Sequence, residues 1–337
     1  MDTTSPHFVP LSELAVIEAA GADAISFLHG QLTQDTEGLP DAQARLAGYC
    51  TAKGRLLASM VIWKDTRDEA PVLRALVRRD LAEALVKRLT MFVLRAKVQI
   101  SISDLAVYGF APQGLGLPAA VSSAPPHLPG STGLPENTAP WTLVRHADAT
   151  WIAAPSKQHC PTRWWLVSQA ISDASEPEPA DRASAADTSD EGQAWQAADI
   201  MSGLPWVQAA TQDMFIPQTL NFDLIDGVNF TKGCYPGQEV VARAHYRGAV
   251  KRRMAGGVLP VPQGITLASL PGTDIFDAKA PRNPCGRIIN AAHYDGLLYV
   301  LMEVQLADLG QADFRLGAAD GPSISEQTLP YGLAAEA

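Results

Sequence analysis

The sequence predicts an α+β fold with a β-rich C-terminal part, and three observations carry that prediction. Strand, strand, helix and strand patterns succeed one another over residues 56–102, the middle of the chain is interrupted by proline-rich and acidic stretches, and a hairpin signal stands at residues 294–296. At 337 residues, with 47% hydrophobic and 18% charged side chains, the chain is globular in composition. By a prior of roughly 100 to 200 residues per domain, it holds two or three domains.

Over residues 21–36, Ile25, Leu28 and Leu32 recur at helical spacing, Phe27 widens the stripe, and Asp23 suits a helix N-terminus. A continuous apolar run over 56–63 reads as a strand. Residues 72–78 alternate, with Leu73, Ala75 and Val77 on one face and Arg74 and Arg78 on the other, and read as a second strand. Asp80 and Glu83 resemble a capping box ahead of Leu81, Leu85 and Leu89, which predicts a helix over 81–90. Val98, Ile100 and Ile102 alternate with polar residues as a further strand, completing a split βαβ layer of ferredoxin-like type.

Between residues 111 and 140 there are seven prolines and four glycines, which predicts a long irregular connection. Residues 173–192 hold seven acids against one arginine and no aromatic residue, the composition of a mobile insertion. Order is expected again from Trp195. Strands over 287–292 and 297–304 flank Tyr294-Asp295-Gly296, a tight-turn signal, and point to a small C-terminal barrel.

The formal charge of −10 argues against a nucleic-acid surface spread over the whole molecule. The N-terminus has no basic stretch followed by an apolar core, and no apolar run reaches the ~18 residues of a membrane span, so a cytoplasmic protein without a membrane partner is expected. The cysteines, Cys50, Cys160, Cys234 and Cys285, show no C-x-x-C pair and no zinc-finger spacing, so no metal site is expected. A cysteine in a reducing compartment is most often a small buried hydrophobe.

Cys234 departs from that pattern by its context. In Lys232-Gly233-Cys234-Tyr235-Pro236-Gly237-Gln238-Glu239, Pro236 and Gly237 fit the central positions of a type II turn, and Gly233 permits close approach of a ligand or another backbone. Lys232, Arg243, Arg247, Lys251, Arg252 and Arg253 surround the loop against the single acid Glu239. Such charge favours a thiolate, the nucleophilic form, and attracts polyanions. Residue chemistry leaves two readings open, a positioned reactive thiol and a tightly packed Gly-Cys pair beside a solvated basic face.

The same octapeptide resembles the K-G-C-Y-x-G-Q-E signature of the folate-binding YgfZ family of iron-sulfur metabolism, with Pro236 at the tolerant position. Phe215-Ile216-Pro217-Gln218, Asn221, Val241-Ala242-Arg243 and the block Phe27-Leu28-His29-Gly30-Gln31-Leu32-Thr33 support the resemblance in family order, from about residue 10 to 305. His29 stands where the family carries Gln, and the acidic insertion is not part of the family pattern.

The resemblance implies the fold of the folate-dependent aminomethyltransferases of glycine cleavage, two interleaved α+β domains and a C-terminal β-barrel around a central folate-binding opening. The implied division is residues 1–45 with 104–250 as a first domain carrying the insertion, 46–103 as a ferredoxin-like domain, and 251–337 as the barrel. It implies tetrahydrofolate as cofactor and iron-sulfur client enzymes, including tRNA-thiolating ones, as partners. Cys234 becomes the functional thiol and Lys232 the residue that helps keep it ionised. Gln218, Asn221, Lys53, Gly233, Tyr235, Gly237, Gln238, Glu239 and Arg243 are the expected folate-site set, Gln238 and Glu239 acting mainly by securing the loop with hydrogen bonds.

Where the aminomethyltransferases carry an Asp that assists transfer, this chain has Ala58 and Ser59, which argues for an accessory role over one-carbon transfer or demethylation. A weak tRNA contact through Arg243 to Arg253 is a further expectation. Against a dedicated RNA-binding role, only Tyr246 interleaves the basic residues in sequence.

Overall fold

The computed structural model describes residues 7–66, 72–111, 134–135, 138–146, 148–157, 160, 162–170, 189–248 and 250–333. The expected irregularity of 111–140 and mobility of 173–192 fall almost wholly outside these residues.

Strands β1 (His7–Pro10), β2 (Leu14–Ala20), β3 (Ala44–Cys50), β4 (Leu56–Asp65), β5 (Val72–Arg78) and β6 (Gln99–Ile102) occupy the first third of the chain, with helices α1 (Ala24–His29) and α2 (Arg79–Thr90) between them. Five of the strands form one antiparallel sheet in the order β3-β4-β5-β2-β6. Strand β1 leaves it to join β7 (Ala106–Ala111), β10 (Arg163–Ser168), β9 (Ala149–Ala154) and β8 (Leu143–His146) in a second sheet of order β1-β7-β10-β9-β8. The first sheet is therefore threaded between β1 and β7 of the second, and the two α+β units interleave. The division expected at residue 46 does not follow this pairing, because β2 and β3 lie in the same sheet as β4 to β6.

Helix α1 is shorter than the stripe over 21–36 suggests. After Gly30 the chain extends, and Thr33 bonds to Gly48 both through its backbone N–H (2.9 Å) and through Oγ1, which accepts from the Gly48 N–H at 2.7 Å. Strand pairing with β3 wins over helical continuation. Helix α2 starts at Arg79, and the expected capping box is absent. Asp80 instead accepts the backbone N–H of Ala209 at 2.9 Å, tying α2 to the segment ahead of the signature loop.

Helix α3 (Asp190–Met201) begins before Trp195, capped by Ser189, whose side chain accepts the Gly192 N–H. It packs Trp195 against Gly109 of β7, where a Cβ would lie 2.5 Å from the indole. The C-terminal strands β11 (Arg252–Pro260), β12 (Asp274–Asp277), β13 (Gly286–Tyr294), β14 (Leu297–Gln305), β15 (Phe314–Leu316) and β16 (Ser325–Gln327) form a six-stranded sheet of order β15-β12-β13-β14-β11-β16. It curls into a half-barrel with β15 and β16 at its ends, the form taken by the small C-terminal barrel that the sequence predicts. The β13–β14 hairpin turns at Asp295 (φ 50°) and Gly296 (φ 72°), the left-handed pair that a two-residue turn of type I′ needs.

One large core joins both interleaved sheets to α3, and a second fills the half-barrel. Among the described residues no helix is long and apolar enough to cross a membrane.

Candidate functional site

The signature segment leads into helix α4 (Gln238–Tyr246) and is held from below before it reaches the surface. Arg253, 2% exposed, forms a bidentate pair with Asp223 at 2.7 and 2.9 Å and donates to the Gln218 carbonyl at 3.0 Å. Gln218 Nε2 donates to the Val241 carbonyl inside α4 at 2.6 Å, and Asn221, at a left-handed φ of 59°, donates to the Met254 carbonyl at 2.8 Å. Gln218 and Asn221 are both fully buried and act as fasteners between loop, helix and half-barrel. They are not walls of an open site, as the resemblance implied.

Above this base, Asn229 Oδ1 accepts the backbone N–H groups of Thr231 and Lys232, both at 2.9 Å. Lys232 turns its ammonium inward, donating to the carbonyls of His29 and Leu32 and lying 4.9 Å over the Tyr235 ring. Burial lowers its pKa to about 8, against the attraction of Asp35, Cys234 and Glu37. The loop is thus clamped by Asn229 and Lys232. Gln238 and Glu239 were expected to do this, but their side chains make no hydrogen bond among the described residues.

Tyr235 to Gln238 form the type II turn that the Pro-Gly pair predicts, with Gly237 at φ 82°, ψ 0° and the Gln238 N–H bonded to the Tyr235 carbonyl at 3.2 Å. A Cβ on Gly237 would lie 2.3 Å from the Thr51 carbonyl and 2.6 Å from the Gly54 Cα. The Thr51–Arg55 turn, with exposed Lys53 at its tip, therefore packs directly on the signature turn. Gly233 differs, since a Cβ there would meet nothing closer than His29 Nε2 at 3.5 Å. His29 in turn sits 3.2 Å from Asp35, whose carboxyl is held below its usual range chiefly by the Gly38 N–H.

Cys234 is the exposed thiol of the described chain. Cys50 is buried and pushed up to about 12 by desolvation, and Cys285 is pushed up to about 11 by the same cause. The basic run around Cys234 divides. Arg243, Arg247 and Lys251 are exposed, whereas Arg252 pairs with Glu303 and Arg253 is the buried anchor.

Phe230, 16 residues before Tyr246 in the chain, joins it and His245 in space. Phe230 stacks on His245 at 3.7 Å and 13°, and Tyr246 meets both edge-on, at 6.1 and 4.7 Å. The aromatic interleaving that the basic segment lacks in sequence is present in space.

Two spaces bear on ligand binding, one beside the site and one at the centre of the fold. Beside Asn229, a cavity of about 340 Å³ is lined by Gln34, Gln43, Arg45, Trp141 and Asp226, among others. Trp141 (φ 71°) and Asp226 (φ 62°) are both held in the left-handed region. Strain of this kind persists only where the surroundings over-determine it. Where the three sheets meet, Glu13, Arg78, Asp199, Trp206 and Asn290 enclose only about 20 Å³. There Asp199, its pKa raised by burial, pairs with Arg163 at 2.9 Å and accepts the Trp206 indole N–H at 3.0 Å. Ala58 and Ser59 lie in buried β4, where Ser59 Oγ accepts the Val207 N–H at 2.8 Å. No group of three or more metal-ligating side chains occurs among the described residues.

The interleaved sheets and the half-barrel define the class: an aminomethyltransferase-type fold. The glycine cleavage system aminomethyltransferase T of Bartonella henselae superposes with a TM-score of 0.65 over 97% of this chain and 86% of that one, at 15% identity. No family model matches the sequence. Sequence relatives go further. The tRNA-modifying protein YgfZ of Pectobacterium carotovorum is 32% identical over 263 residues, covering 77% of this chain and 73% of the relative. That of Klebsiella pneumoniae is 30% identical over 329 residues, covering 96% and 92%. The chain belongs to the YgfZ family.

Proposed function

We infer that this protein is a tetrahydrofolate-binding accessory factor of the cytoplasm that supports assembly or repair of iron-sulfur clusters in client enzymes, tRNA-thiolating ones included. The observation that carries the reading is Cys234, an exposed thiol on a turn clamped by Asn229, Lys232 and the Gly54–Gly237 contact, in a chain of this family.

Gly233 favours a ligand at the loop. Its missing side chain answers no packing demand within the chain, so the open face is available to something outside it. The 340 Å³ cavity beside Asn229 is of ligand size and supports placing folate there, whereas the 20 Å³ cleft at the centre would need rearrangement of Arg78 and Trp206 to admit it. Trp141 offers a face for a pterin, Asp226 and the amides of Gln43 and Asn229 suit its donor and acceptor edge, and Arg45 suits a glutamyl carboxylate. Bound folate would supply one-carbon or redox chemistry, while the chain's own groups bind and orient it.

One-carbon transfer catalysed by this chain is the weaker reading, because buried Ala58 and hydrogen-bonded Ser59 put no carboxylate at the expected position. The test is a tetrahydrofolate titration followed by intrinsic fluorescence. Saturable binding should weaken at least tenfold in Trp141→Ala and in Arg45→Ala, and less in Lys232→Ala. Binding unchanged by the first two would move folate to another site. Formation of methylene-tetrahydrofolate and ammonia from an aminomethyl donor, whose carbon is already at the formaldehyde level, by the folate-loaded protein would restore the transferase reading.

A further inference from the structure

Beyond the thiol loop, the turn after α2 has no role in anything described so far. Met91, Phe92 and Leu94 are 68%, 47% and 86% exposed, and Leu94 is the most exposed large apolar side chain among the described residues. The turn is ordered by backbone bonds, Phe92 N–H to Leu89 at 3.0 Å, Val93 to Thr90 at 3.1 Å and Leu94 to Phe92 at 3.0 Å. Three large apolar groups within four residues, held out in water by a hydrogen-bonded turn, are unlike the scattered surface leucines of ordinary proteins.

Charge singles out the same turn. Residues 84–103 contain Lys87, Arg88, Arg95 and Lys97 and no acid, in a chain whose net charge is −10. All four are exposed and flank the apolar tip on both sides in sequence. The arrangement has the anatomy of a protein interface, a small apolar centre inside a polar rim.

The turn is also fastened to the functional site. Asp23, ahead of α1, accepts the Lys97 N–H at 2.7 Å and donates its own N–H to the Lys97 carbonyl at 3.2 Å. Gly21, at φ 125°, allows this approach, since a Cβ there would fall 2.2 Å from that carbonyl. At the other end of α1, the carbonyl of His29 accepts the Lys232 ammonium. Six residues of helix, about 9 Å at 1.5 Å per residue, separate the two attachments.

We propose that Met91, Phe92 and Leu94, ringed by Lys87, Arg88, Arg95 and Lys97, are a docking surface for a protein partner that presents an apolar pocket edged by carboxylates. An anionic membrane suits the turn less well. Lasting attachment takes more than one short apolar tip, and the net negative charge of the whole molecule opposes approach to anionic lipid. RNA suits it less well, because Phe92 is the single stacking face on the tip and Met91 and Leu94 offer bases none. The inference rests on the accessory-protein reading only for the identity of the partner as a client, and the surface itself is independent of Cys234 and of folate.

The test places a benzoylphenylalanine photo-crosslinker at Phe92 of the full chain in intact cells, with Leu297, an exposed leucine on the half-barrel, as the control position. The protein in any discrete adduct is then identified and purified. Its affinity is measured for wild type, Met91→Ser/Phe92→Ser/Leu94→Ser, Arg95→Glu/Lys97→Glu and Cys234→Ala. A discrete adduct specific to position 92 is expected, with affinity lowered at least tenfold in the first two variants, lowered by salt, and unchanged in Cys234→Ala. No adduct beyond the control, or equal affinity for the serine and wild-type forms, overturns the proposal. So does vesicle sedimentation in which wild type, but not the serine variant, pellets with phosphatidylglycerol vesicles. Loss of iron-sulfur rescue by Cys234→Ala with docking intact keeps the two readings separable.

Discussion

Arg243 and Arg253 lie ten residues apart in one basic run, and folding sends them to opposite destinations. Arg243 stands in solvent on α4, while Arg253 is 2% exposed, locked on Asp223 and on the Gln218 carbonyl. A run of positive charge in sequence is therefore two devices, an exposed face that a polyanion can meet and a buried pin that holds the loop bearing Cys234. Removing one partner of a buried pair strands the other, whereas a solvated arginine has little to lose.

The largest expected effect breaks the pin. Arg253→Ala should cost about 3–5 kcal/mol of stability, because it leaves the Asp223 carboxylate buried and unpaired. Arg243→Ala should stay within about 0.5 kcal/mol, as surface substitutions do. Urea denaturation of the two variants checks both, and equal costs would erase the distinction between face and pin.

The two glycines of the signature make the same contrast at smaller scale. Gly237→Ala forces a Cβ against the Thr51 carbonyl at a left-handed φ, and about 1–3 kcal/mol should be lost. Gly233→Ala has room for its methyl and should be nearly neutral to folding, within about 0.5 kcal/mol. Thermal melts of both variants, alongside the folate titration, show whether Gly233 serves the ligand while Gly237 serves the fold.

Lys232 falls between the two arginines, half-buried with its ammonium on carbonyls. Its folded pKa of about 8 lies below the unfolded 10.5. Between those values the unfolded chain binds more protons, so this residue's contribution to stability rises with pH across that window, and its penalty is fully present below it. Relative to Lys232→Met, wild type should gain urea resistance between about pH 8 and pH 10.5. A flat difference would mean that the ammonium is solvated in the folded state.

Legibility in the sequence followed locality. Strand β5 was readable because Leu73, Ala75 and Val77 alternate with arginines, and the Pro236-Gly237 turn because its dihedral demands are met by two adjacent residues. Strand β3, Ala-Arg-Leu-Ala-Gly-Tyr-Cys, was silent, since small residues of weak strand preference fill a strand buried on nearly every side chain. Asp80 looked like a cap but serves Ala209, 129 residues away. The Phe230, His245 and Tyr246 stack, the cavity of Arg45, Trp141 and Asp226, and the Arg253–Asp223 pair are all assembled by tertiary packing, which spacing along the chain does not report.

The most direct measurement of the central claim is iron-sulfur enzyme activity in a strain lacking this gene and carrying single cysteine variants. Cys234→Ala should leave activity at the level of the deletion, while Cys50→Ala, Cys160→Ala and Cys285→Ala, each expressed to the wild-type level, should restore it. Full restoration by Cys234→Ala would contradict the role assigned to the exposed thiol.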